Sequence, residues 1–371
     1  MFRSVRCAAR PLLFLLLLLP AAACRRQAAE FRPTIPLVRE ILSARSDARA
    51  QLLRDRQSEP ASDIAIIGPE LNCEQLAELF LSRDEQDNVD ARQVRDGLPD
   101  FAGETFACIE DAEPCDAALA AVGTEAFRTR TVLRVLSALD TVVHISPYDL
   151  DGLAAKASSK ALVLADPYLA EYGGFDVDTL FRSTGCRIPV FSPIELMIDR
   201  ALARGGRPDL SVGILCDPRY AATGIYERIF ERLAAGRNMP EAGVFVFGTA
   251  ARDSVLRSMM KQYVASGRSK PLDAILIDDL SVRPDSLKSE LAEIVSVMNE
   301  SSMTYGRLVS RNFFFLNAFD EVSAACYNFL RQNNLFTHNI AKPQVTVYRP
   351  VARPGSEDGS VILIPGSYVQ N

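Results

Sequence analysis

Ile188–Pro189–Val190–Phe191–Ser192–Pro193 opens the stretch that decides the fold. A segment from Ile194 to Arg204 follows, is stopped by Gly205–Gly206, and gives way to Ser211–Val212–Gly213–Ile214–Leu215. The two outer runs are short, apolar and bounded by turn formers, which predicts buried strands. The segment between them ends on glycine as helices do. Strand, helix and strand in that order build an α/β layer. At this join one strand–helix series closes and a second begins.

Upstream, Ile64–Ala65–Ile66–Ile67 is an apolar run closed by Gly68–Pro69, with Asn72 as a cap for the helix carrying Leu76, Leu79 and Phe80. Thr105–Ile109, Thr141–Ile145 and Ala161–Ala165 are further strands, and a helix from Asp116 to Leu139 is weakened at Gly123. Downstream, Gly243–Phe247, Ala274–Ile277, Phe313–Leu316 and Val345–Tyr348 are strands separated by helical stretches, and Val361–Ile364 is a last apolar run. The runs are near-continuously apolar, as strands buried on both faces of a parallel sheet are. The expected fold is α/β: two doubly wound parallel-sheet lobes joined by a hinge.

This order of elements resembles the type I periplasmic binding proteins, including the basic membrane protein family of lipoproteins. The likeness is carried by the join at residues 188–215 and by Pro271–Leu272–Asp273–Ala274–Ile275–Leu276–Ile277–Asp278–Asp279, similar to the strand whose trailing acidic or amide residue touches ligand in that fold. Gly68–Pro69–Glu70 stands where the basic membrane protein family has an Asp-rich motif. The resemblance implies a membrane-anchored, extracytoplasmic solute-binding protein that closes two lobes around a small polar ligand, such as a sugar or nucleoside, for an ABC permease or a sensor. On that reading the chain is no enzyme. Two alternatives stand beside it: an exported α/β hydrolase using Asp166, Asp217 or Asp279 as acid/base, and a lipoprotein of binding-protein shape with a structural or partner-binding role.

The first residues support export. Arg3, Arg6 and Arg10 precede the apolar run Leu12–Leu19, and Pro20–Ala21–Ala22–Ala23 leads into Cys24. A basic start, a short apolar middle and small residues make a secretory signal. Small residues directly before a cysteine resemble the lipobox of bacterial lipoproteins, which implies cleavage before Cys24 and lipid on its thiol. The expected location is the bacterial periplasm or cell surface. The expected organisation is a signal peptide at 1–23, a lipidated tether with a preliminary helix at 24–61, a first lobe at 62–193, a second lobe with hinge crossovers at 194–350 and a tail at 351–371.

The 371 residues suffice for two domains, and 48% hydrophobic and 24% charged content is that of a folded protein. The net charge of −6 argues against a nucleic-acid partner. Cys73, Cys108, Cys115, Cys186, Cys216 and Cys326 remain after the leader; Cys108 and Cys115 could close a short loop, or all could be buried thiols. No cysteine–histidine spacing suits zinc, and there is neither a phosphate-binding GxxxxGK loop nor a GxGxxG after a strand, so no metal and no cofactor is expected.

Ligands of open α/β sheets bind beyond the carboxyl ends of the strands. Position alone therefore selects Glu70, Asp111, Ser146, Asp166, Tyr168 and Ser192 from the first lobe, and Asp217, Tyr220, Asp279 and Asn317 from the second. Carboxylates and amides would accept hydrogen bonds from hydroxyl or amino groups, and Tyr168 and Tyr220 could stack on a ring. Asp–Pro at 166 and 217 is equally a turn former. Asp278 and Asp279 adjoin and, on a strand, would point to opposite faces.

Overall fold

The structure is a computed structural model. It describes residues 32–366 except 45, 89–91, 250–253, 269, 280–281, 283–286, 294–307, 338, 340 and 355–360. The expected signal peptide and Cys24 lie outside the described residues.

The molecule is mixed α/β with two parallel-stranded sheets. In the first, β1 (Asp63–Pro69) lies between β2 (Thr105–Asp111) and β5 (Ser159–Leu164), with β6 (Val190–Phe191) beyond β5. All seven residues of β1 are buried, so its apolar run is covered by helices on both faces. In the second sheet, β7 (Ser211–Cys216) lies between β8 (Gly243–Gly248) and β9 (Leu272–Asp278), with β10 (Val309–Asn317) beyond β9. These four strands are parallel and follow the same second–first–third–fourth order as β2, β1, β5 and β6. The winding therefore reverses direction twice, beside β1 and beside β7.

Three expectations about organisation are corrected. The run at Thr141–Ile145 joins no parallel sheet: β3 (Val142–Ser146) pairs antiparallel with β4 (Asp149–Ala155) in a separate hairpin. A connection this short permits only antiparallel pairing. The hairpin exposes Ile145 (62%) and Tyr148 (93%), which no central strand could do.

The segment 194–350 is not one lobe. After β10 the helix Ala318–Gln332 returns to the first sheet, packing Val322, Cys326, Tyr327 and Leu330 with Ile64, Ile66, Phe80 and Phe106. Then β11 (Gln344–Ala352) pairs parallel with β2, and β12 (Val361–Pro365) closes that edge antiparallel to β11, so residues expected as a tail are a strand. Burying the apolar face of the returning helix decides this.

Within 24–61 the expected preliminary helix is present, but as two helices packed into the core, so this part is no tether. Helices Pro36–Ser43 and Ala48–Leu53 put Val38, Ile41 and Leu53 into the main core, and Ile35 N–H donates to buried Asp176 at 3.5 Å. The polar character of this stretch comes from surface ion pairs, such as Arg49 with Asp47 and Glu40.

The long helix Cys115–Leu139 bends at Gly123, whose φ of 78° is favourable only without a Cβ. Cys73, Cys108, Cys115, Cys186, Cys216 and Cys326 are free thiols, all but Cys186 buried. A buried ion pair, Lys160 Nζ to Glu104 Oε2 at 2.6 Å, is sealed from solvent. Lys160 also donates to the carbonyls of Pro60 and Leu335, and Glu104 accepts from Thr337 N–H, so four chain segments meet there. No helix among the described residues is long and apolar enough to cross a membrane.

Candidate functional site

A cavity of about 360 Å³ lies where the carboxyl ends of the two sheets face each other. This is within the size range of small-molecule sites. Its walls come from both reversal points. Asn72 and Gln75 follow β1, Asp166 and Pro167 follow β5, Asp217 and Tyr220 follow β7, and Asp278 and Asp279 end β9. Loops at such reversals splay apart, which opens a crevice.

Asp166 is 1% exposed. Its Oδ2 accepts from Tyr220 Oη at 2.6 Å and from Asn72 Nδ2 at 3.3 Å; its Oδ1 accepts from Tyr168 N–H at 2.8 Å. Burial nevertheless dominates and raises its pKa to about 6. Asp278, on the opposite wall, accepts from Tyr226 Oη at 2.7 Å. Burial raises it too, to about 6, and the charges of Asp166 and Asp279 add to the rise. Burial and the carboxylates hold both tyrosines above their ordinary range, so they are donors and not bases.

Asp217 behaves differently. It caps the short helix Pro218–Ala221 by accepting from Arg219 N–H, and it grips the Arg219 guanidinium through both oxygens, which lowers its pKa. Asp279 accepts from Thr249 Oγ1.

Of the residues selected from sequence, Asp166, Asp217, Tyr220 and Asp279 line this cavity. Glu70 and Asp111 line a second, adjoining cavity of about 350 Å³ that shares Leu71, Asn72, Arg219 and Tyr220 with the first. The other four are not brought in. Ser146 sits on the separate hairpin, where it accepts from Tyr148 N–H. Tyr168 is buried behind Asp166, stacked on Tyr172 with ring centroids 5.8 Å apart. Ser192 and Asn317 accept backbone N–H groups as caps of the helices Pro193–Gly205 and Ala318–Gln332.

Asn72, Gln75, Arg219, Tyr226, Thr249 and Asp278 were not foreseen. On a strand Asp278 and Asp279 would face opposite ways. The strand stops at Asp278, so that alternation ends there and both aspartates line the cavity. Among the described residues no group of three or more His, Cys, Asp or Glu is placed to hold a metal ion.

No protein-family model matches the chain, and no curated protein matches it. Solved structures similar to it include glutamate racemase from Francisella tularensis subsp. tularensis SCHU S4 in complex with D-glutamate. That likeness has a TM-score of 0.45 and 13% identity, and covers 78% of this chain and 88% of that one. Glutamate racemase isoform RacE1 from Bacillus anthracis aligns with a TM-score of 0.43 and 12% identity over 81% of this chain and 91% of that one. Glutamate racemase from Campylobacter jejuni subsp. jejuni aligns at 0.39 and 10%, over 77% and 92%. These neighbours are enzymes and not solute-binding proteins, so the expectation of a non-catalytic solute-binding protein with a transport role is not met among them. The hydrolase and partner-binding alternatives find no support in them either. At such identities and TM-scores the likeness is one of coarse α/β fold, and no neighbour's activity transfers with it.

Proposed function

We propose that this chain is an enzyme that moves protons on a small polar substrate, with Asp166 and Asp278 as its acid/base pair. One observation carries the reading: each sheet's reversal point contributes a carboxylate of raised proton affinity to the same cavity. A group titrating near 6 is a better proton shuttle at neutral pH than an ordinary carboxylate. Because ionisation of one opposes ionisation of the other, the pair passes through a state that keeps a single proton. One member is then a base while the other is an acid. This is the arrangement an isomerisation requires, in which a proton leaves one face of a substrate carbon and returns to another. Tyr220 and Tyr226 orient the two carboxylates, and Asn72 spends its amide hydrogens on Asp166 and the Ala165 carbonyl, which fixes that wall.

The test has two parts. Carbon-13 NMR of aspartate-labelled protein should show carboxyl resonances titrating near 6, one of which vanishes in Asp166→Asn and another in Asp278→Asn, while that of buried Asp63, also raised to about 6, remains in both. A panel of amino and hydroxy compounds in deuterated buffer should yield at least one that exchanges a carbon-bound hydrogen, an exchange abolished by either variant. Aspartates that all titrate in the ordinary carboxylate range would remove the basis of the reading.

For location and architecture we propose export with lipid on Cys24, supported by the basic, apolar and small-residue order of 1–23. The two sheets would then form a clamshell like that of type I periplasmic binding proteins in shape alone, supported by the cavity between their carboxyl ends. Metabolic labelling with palmitate, lost in Cys24→Ala, tests the anchor.

A further inference from the structure

Gln75 stands apart from the other side-chain donors that line the first cavity. It sits half-buried on the helix Glu70–Ser82, three residues beyond Asn72, and among the described residues its amide has no hydrogen-bond partner. The others are committed. Asn72 gives its amide hydrogens to the Ala165 carbonyl at 2.9 Å and to Asp166 at 3.3 Å. Tyr220 donates to Asp166, Tyr226 to Asp278 and Thr249 to Asp279. Arg219 turns Nε and Nη2 onto Asp217.

The helix fixes where the free amide works. Residues three apart share a helix face, with Cβ atoms about 5–6 Å apart. Asn72 touches Asp166, so Gln75 flanks the place where Asp166 meets a substrate. Taking a proton from carbon leaves an electron pair that needs a destination. Beside a carbonyl the charge moves to the oxygen, and a donor placed at that oxygen lowers the barrier. On this wall the Gln75 amide is the side-chain donor left for it.

We infer that Gln75 binds the carbonyl oxygen of the substrate, and that the substrate is a neutral hydroxy ketone or hydroxy aldehyde. One aspartate of the pair, ionised, takes the proton from the carbon beside the carbonyl. The C–H electron pair becomes the second bond of a carbon–carbon double bond, and the carbonyl π pair moves to the oxygen held by Gln75 Nε2. The other aspartate, protonated, gives its proton to that carbon as the carbonyl re-forms, so one proton is taken and one returned. Hydroxyl groups on neighbouring carbons are donors for the remaining carboxylate oxygens. A carboxylate substrate is disfavoured by like charge: Asp166, Asp217, Asp278 and Asp279 line the cavity, and Arg219, the one cation among its described lining residues, is neutralised by Asp217. This assignment rests on the acid/base reading of the cavity and gives it a substrate class.

The probes are hydroxyacetone, dihydroxyacetone and fructose, with lactate and alanine as carboxylates. Each is incubated with the intact protein in deuterated buffer at neutral pH, and loss of carbon-bound hydrogen is followed by proton NMR against a protein-free sample. At least one hydroxy ketone should exchange in a protein-dependent way, and the carboxylates should not. Gln75→Leu should lower the exchange rate at saturating substrate about 100-fold or more, with a smaller change in KM. Gln75→Glu, which keeps the shape but replaces the donors by acceptors, should act in the same direction and covers the case that the first variant is misfolded. Exchange confined to lactate or alanine, no protein-dependent exchange of any hydroxy ketone, or undiminished exchange in either variant when folded would each overturn the assignment. The carbon-13 titration of Asp166 and Asp278 reads the acid/base pair separately. Midpoints near 6 beside any of those outcomes leave the pair standing, whereas midpoints in the ordinary carboxylate range remove both readings.

Discussion

Asp278→Asn should make this protein more stable at neutral pH while removing its proposed chemistry. Asp278 titrates at about 6 in the folded chain against an ordinary value of 3.8, chiefly because burial penalises its charge. A carboxyl raised on folding favours the native state while it is protonated, below the unfolded value. That advantage is lost as pH rises through the folded value. Two units correspond to about 3 kcal/mol at full ionisation, since each unit is about 1.36 kcal/mol. Water reaching the carboxylate through the cavity, and the proton shared with Asp166, reduce this to about 1–3 kcal/mol. Asparagine keeps an oxygen for Tyr226 Oη and carries no charge, so the penalty disappears while the 2.7 Å hydrogen bond survives. The assay is urea unfolding followed by far-UV circular dichroism, as the chain has no tryptophan. Variant and parent should differ by about 1–3 kcal/mol near pH 7.5 and converge near pH 4. A variant that is less stable at both pH values, or a difference that does not change with pH, would refute the claim that a buried charge is being held there.

Tyr220→Phe removes a 2.6 Å donor from Asp166, so the carbon-13 resonance of Asp166 should titrate about one unit or more higher; an unchanged midpoint would show that the phenol does not support the carboxylate. Lys160→Met strands buried Glu104 and two carbonyls, and should cost about 3–5 kcal/mol in urea unfolding, whereas Lys160→Met combined with Glu104→Leu should recover much of that loss. Gly123→Ala places a Cβ at a φ of 78° and should cost about 1–2 kcal/mol by the same assay; a neutral result would mean the bend relaxes into regular helix.

Local patterns carried much of the fold. Ile64–Ile67, Ser211–Leu215 and Ala274–Ile277 are strands because they are apolar on both faces, and that is visible in any window containing them. Placing Asp166 and Asp217 at the cavity needed only the rule that strand ends carry the site, and their Asp–Pro turns marked those ends. What stayed hidden depends on contacts distant in sequence. Nothing local to Val345–Tyr348 says that it pairs with β2; the reason lies in Val322, Cys326 and Leu330 meeting Ile64 and Phe106. Ser192 and Asn317 have the right residue types at the right strand ends, but their side chains are spent on the N–H groups of the next helix. Asp278 and Asp279 escape the alternation of strand residues because the strand ends at Asp278.

The return of β11 to β2 also bears on how the chain is made. During synthesis β2 emerges early, with one edge that pairs only with residues that follow the entire second sheet. Until the last turns of the polypeptide arrive, that edge is a bare ladder of donors and acceptors, open to any other extended strand nearby. Maturation of this molecule is therefore governed from its far end. Losing residues beyond 343 would leave the cavity walls encoded but the platform beneath Asn72 and Asp166 unfinished, and such a fragment belongs with chaperones and proteases.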